Sequence, residues 1–82
     1  MSDWKNKVLL KDGETLVLTG RSSKGFMAET DVETYDVVDA DGQKVGSVTM
    51  EDHTAVKGLR RTISVVQVDL AGEVLVREAW RD

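Results

Sequence analysis

The chain of 82 residues contains no cysteine and no proline, a single histidine, and only four aromatic residues, Trp4, Phe26, Tyr35 and Trp80. Without cysteine there is no disulfide framework and no thiolate zinc site, the usual reinforcements of a domain this small. One histidine leaves no two-histidine metal site and no histidine dyad. Sheets that bind nucleic acid stack bases on exposed aromatic rings, and this chain has few rings to spare. No stretch approaches the roughly 20 apolar residues of a membrane-spanning helix. The N-terminal "MSDWKNKVLLKDG" scatters charge through its length and does not read as a secretory signal.

What is present fits one small folded domain, residues 1–82. Apolar residues make up 40% of the chain, too many for a disordered segment. The net charge of −4 favours solubility and gives no general attraction for nucleic acid. Together these features lead to the expectation of a soluble, cytoplasmic protein. A chain of this length buries only about 60–65% of its unfolded surface, so its stability rests on a thin apolar core and on sheet hydrogen bonds.

Three stretches share one grammar: "VLLKDGETLVL" around Gly13, "VVDADGQKVGSV" around Gly42, and "VQVDLAGEVLV" around Gly72. In each, a β-rich run meets a three-residue loop ending in glycine, and a second β-rich run follows. That is the pattern of a type I turn closed by a left-handed residue. Glycine suits the last loop position because a β-carbon there costs about 1–2 kcal/mol. Asp39 and Asp69 stand where a carboxylate can accept hydrogen bonds from the turn backbone. The fold class expected is therefore all-β, a small antiparallel sheet of about six strands in three successive hairpins. It would be rolled into a barrel or folded into a sandwich, with at most one short helical turn.

Extending the turn geometry gives a register. In the last hairpin Val68 faces Val74, Val66 faces Val76 and Thr62 faces Trp80, which makes Val66, Val68, Val74, Val76 and Trp80 the core face. Ile63, Val65 and Leu75, diluted by Gln67 and Arg77, form the other face. In the middle hairpin Val37 faces Val45 and Tyr35 faces Ser47, with Val32, Val38, Val48 and Met50 opposite. In the first, Val8 faces Leu16 and Leu10 faces Glu14, so that Trp4, Val8, Leu10, Leu16 and Leu18 share a face. Trp4 and Trp80 then close the ends of the core. Residues 19–31 and 51–61 read as polar connections, the second with room for a helical turn between Asp52 and Gly58.

Several motifs approach known chemistry and miss it. If Asp39, Asp41 and Gly42 were positions three, five and six of a calcium loop, the first and twelfth positions would be Val37 and Val48, where carboxylates are needed. The stretch is a hairpin corner. "GRSSKGF" has the glycine spacing of a phosphate loop, yet Phe26 and Met27 stand where Lys and Ser or Thr belong. His53, in "MEDHT", reads as a lone surface histidine. The serines and threonines form no nucleophile elbow. No cofactor, metal site or enzymatic activity is expected.

The strongest positive patch is Lys57, Arg60 and Arg61. Arg21 and Lys24 would join it if the two connections met at one end, giving an anion or nucleic-acid binder as the alternative function. The leading expectation is a non-catalytic module that binds an unknown protein partner or self-associates, with nucleic acid a poor candidate and no membrane role. "YDVVDADGQKVGSV" resembles the leading hairpin of PRC-barrel domains, which carry Asp, Gly and Val-Gly in such a turn. The resemblance spans residues 35–48 of 82; 34 residues precede it, whereas that family usually begins near the hairpin, and the chain is not assigned to it.

Overall fold

The computed structural model describes residues 4–25, 28–55 and 61–81. They form five strands: β1 (Thr15–Gly25), β2 (Ala28–Val38), β3 (Lys44–Ala55), β4 (Arg61–Asp69) and β5 (Val74–Arg81). A 3-10 turn, Trp4–Lys7, precedes them. The strands run antiparallel in the order β1-β2-β3-β4-β5, a meander in one sheet that does not close, with β1 and β5 at its edges. The all-β antiparallel architecture is the one the hairpin grammar implies.

The two later turns are built as expected. The N–H of Gly42 donates to the carbonyl of Asp39 at 3.0 Å, and the N–H of Asp39 donates to the carbonyl of Gln43 at 2.9 Å. Oδ1 of Asp39 accepts from the backbone N–H groups of Asp41 and Gln43, each at 2.9 Å. Asp69 repeats this arrangement with Ala71 and Glu73. Gly42 and Gly72 both have φ near +83°, where a side chain is strained.

Beyond the turns the register departs from the expected one. Val38 still faces Lys44, but Val37 faces Gly46 and Tyr35 faces Val48. Val68 faces Val74 as expected, but Gln67 faces Val76 and Ile63 faces Trp80. Val45 and Leu75 are extra residues, each at the same place after its turn glycine. A one-residue bulge exchanges the faces of everything beyond it. The buried residues of β4 are consequently Ile63, Val65 and Gln67, with Val65 0% and Gln67 3% exposed, while Val66 and Val68 lie on the opposite face. The expected core face of β4 is thus reversed; in β5 Val76 and Trp80 remain inward.

Rows across the whole sheet explain this choice. Leu16, Tyr35, Val37, Val48, Met50, Ile63, Val65 and Trp80 share one face, where the core forms. On the other face Val66 meets Thr49 and Arg77, and Thr49 meets Thr34. Tyr35, Met50, Ile63 and Trp80 all fall on the first face, so that side has the most apolar surface to remove from water.

The first expected hairpin does not form. Residues 4–14 are an arm over the core face, and the 3-10 turn packs against β4. Val8 is buried in the core, and Trp4 packs on Tyr35 with ring centroids 5.2 Å apart. Leu9 is held by the side chain of Gln67: its N–H donates to Oε1, and its carbonyl accepts from Nε2, both at 2.8 Å. The Gln67 amide thereby does what a neighbouring strand would do, and the buried polar group is satisfied. Gly13, at φ +83°, belongs to a tight turn in which the N–H of Glu14 donates to the carbonyl of Lys11.

The two polar connections are largely strand. Residues 19–25 and 28–31 extend β1 and β2, and residues 51–55 extend β3, so no helical turn begins at Asp52. The expected end of that turn at Gly58 lies outside the described residues. Cross-strand polar pairs support these extensions in place of apolar alternation: Arg21 with Glu33, and Ser23 with Asp31.

Candidate functional site

Of the basic residues singled out from sequence, the two whose side chains are described, Arg21 and Arg61, are each engaged by a carboxylate. Arg21 lies on β1 and pairs with Glu33, Nη2 to Oε2 at 2.6 Å. Arg61 opens β4 and grips Asp52 with two nitrogens, Nε at 2.9 Å and Nη2 at 2.5 Å. Lys24 lies on β1 opposite Thr30, and Lys57 and Arg60 lie outside the described residues. An anion reaching Arg61 would have to compete with a bidentate carboxylate already in place.

Around these pairs the far end of the covered face is polar. Tyr35 donates its hydroxyl to Glu33 at 2.8 Å. Burial pushes the Tyr35 phenol above its ordinary pKa; the hydrogen bond to Glu33 and that residue's negative charge add to the rise, and Arg21 opposes it. His53 is exposed on the open face, with Nδ1 2.7 Å from the Thr30 hydroxyl. Among the described residues no group of three or more His, Cys, Asp or Glu is placed to hold a metal ion. No helix among them is long and apolar enough to cross a membrane.

A different feature stands out at the end carrying the three glycine turns. A groove of about 510 Å³ runs between the arm and the β2–β3 and β4–β5 hairpins. Leu9 and Leu10 form its arm side, Val37 and Gln67 its floor, and Val45 and Leu75 its hairpin side. Its rim carries Lys11, Glu14 and Asp69. Val45 and Leu75 are the bulge residues of β3 and β5, so the irregularities that set the core face also aim side chains into the groove. Gly46 adds to this shape: a β-carbon there would lie 2.6 Å from the carbonyl oxygen of Val68.

The groove is apolar and open. Of its lining, Leu9 is 62% exposed, and Leu10 and Leu75 are also exposed; Leu70 and Val74, exposed on the β4–β5 hairpin, lie outside it. Among the described residues, five of the seven large apolar side chains that face solvent belong to the arm or the β4–β5 hairpin; the others, Val17 and Leu18, lie on β1. Gathered exposed apolar surface marks interaction sites more reliably than scattered residues do.

Sequence reasoning misses this site, because it places Leu9 and Leu10 in a strand and Val45 and Leu75 in regular alternation. One signal does point to it. Gly46, a second glycine four residues after the turn glycine, is the mark of a bulge or a close backbone approach. Comparison with protein-family models, with curated proteins and with solved structures finds no match to this chain.

Proposed function

We propose that the protein is a non-catalytic interaction module whose groove between the arm and the glycine turns receives large apolar side chains of a partner protein. The observation that carries this proposal is the gathering of exposed Leu9, Leu10 and Leu75 around one concave surface. A groove of this size accommodates two or three such side chains, within the usual range of binding cavities. The rim charges would orient the incoming segment, while the apolar floor supplies the affinity. The main carboxylates of the polar end are engaged by Arg21, Arg61 and Ser23, an arrangement suited to holding strands together.

The test is a nuclease-treated pull-down from lysate of the source organism, using wild-type protein and Leu75→Asp as baits. One protein retained near stoichiometry by the wild type and lost from Leu75→Asp is the expected result. A partner retained equally by both, or none retained by either, would remove the groove from consideration.

A further inference from the structure

We propose that the chain also self-associates, through a surface separate from the groove: two copies pair antiparallel along the free edge of β1, about a two-fold axis through Val17. Val17 is 48% and Leu18 47% exposed, although they point to opposite faces of the sheet. Among the described residues no strand lies beyond this edge of β1, so its large apolar side chains have no neighbour to cover them on either face and its outward backbone groups no ladder partner.

Symmetry limits the registers. A two-fold axis normal to the sheet keeps each side chain on its own face, so a residue can oppose only residues of the same parity. With the axis at Val17, Val17 meets Val17 of the second copy, Leu16 meets Leu18, and Thr15 meets Thr19. No charge enters these positions, and every apolar side chain gains an apolar neighbour. Thr19 is the bulged residue of β1, with its hydroxyl turned to Thr34, and it ends the match.

The other edge offers nothing comparable. β5 is bulged at Leu75, and its regular part carries Arg77, Glu78 and Arg81. Axes at Arg77, Glu78 or Ala79 oppose Arg77 to Arg77, Glu78 to Glu78, or Arg77 to Arg81, and like charges directly opposite are destabilising; an axis at Val76 runs into the bulge and sets Leu75 and Val74 against Arg77 and Glu78. The two edges differ in kind, so association closes as a dimer and does not propagate as a filament. So short a pairing buries less than the roughly 1,200 Å² of stable interfaces, which makes the dimer transient.

The absence of cysteine provides the test. Directly opposed Cα atoms in an antiparallel pair lie about 4.5–5.5 Å apart, within the span of a disulfide. Under mild oxidation Val17→Cys is expected to give a linked dimer in high yield, and Ala79→Cys on β5 only a trace. In sedimentation the wild type should rise toward the dimer mass with concentration. Val17→Lys should remain monomeric with its melting temperature unchanged, and Leu75→Asp should still dimerise. A wild type monomeric up to about 1 mM, equal linking of the two cysteine variants, or a dimer indifferent to Val17→Lys would each overturn the proposal. None of these outcomes bears on whether the groove holds a partner.

Discussion

The two faces of the sheet are made from the same five strands and could hardly differ more. One carries Tyr35, Met50, Ile63 and Trp80 beneath an arm that contributes Trp4 and Val8. The other carries Thr34, Thr49, Ser47 and Ser64 beside Val32, Val66 and Val68, and none of its residues is fully buried among those described. Within β4 alone the faces look nearly equivalent, since Ile63 and Val65 are no more apolar than Val66 and Val68. What separates them is the company each keeps across the sheet. A strand's buried face is therefore a property of the rows it joins.

The sharpest way to break this contrast is to place a charge on each face in turn. Val65→Asp would bury a carboxylate without a partner and should unfold the domain. Val66→Asp, on the open face, should leave a cooperative thermal transition observable by circular dichroism.

Gln67→Ala comes next. It removes both hydrogen bonds that hold Leu9, and should lower stability by about 2–3 kcal/mol. Hydrogen exchange at the Leu9 amide should lose its protection in the same variant. If Leu9 stayed protected, the arm would be held by something other than Gln67.

The bulges can be probed separately from the turns. Gly46→Ala forces a β-carbon against the Val68 carbonyl and should cost more than the roughly 1–2 kcal/mol expected of Gly42→Val or Gly72→Val, read from urea midpoints. Asp39→Ala loses two turn hydrogen bonds and should cost about 1 kcal/mol, whereas Asp41→Ala should be nearly silent.

The smallest expected effect concerns Tyr35 at alkaline pH. Its pKa is raised in the folded state, so its contribution to stability is complete below the unfolded value of about 10 and is lost as pH rises through the folded value. Tyr35→Phe should abolish that part of the decline, seen as a smaller difference in urea midpoint between pH 9 and pH 11 than in the wild type.

Much of this structure is legible in local chemistry. Asp39 with Gly42, and Asp69 with Gly72, specify their turns through interactions within five residues, and sequence displays such interactions directly. The position of the bulges is less readable. Val45 and Leu75 resemble any other strand residue, and the face that each bulge sets is matched to rows running across the whole sheet. The arm misleads for a related reason. "VLLKDGETLVL" has the composition of a hairpin, but Leu9 takes its strand-like hydrogen bonds from Gln67, 58 residues away. The groove inherits both difficulties, since the arm and the bulges form its walls. Only Gly46 announces in sequence that something irregular happens there.

The central claim is that the bulges turn Ile63, Val65 and Gln67 inward, and neighbouring positions on β4 test it most directly. Val65→Cys and Val66→Cys would each carry the chain's only thiol. Under native conditions the thiol at position 66 should react readily with a thiol reagent, and the one at position 65 should react only as fast as the domain unfolds. Protection at 66 with rapid reaction at 65 would mean that β4 presents its other face to the core, contradicting the bulged register.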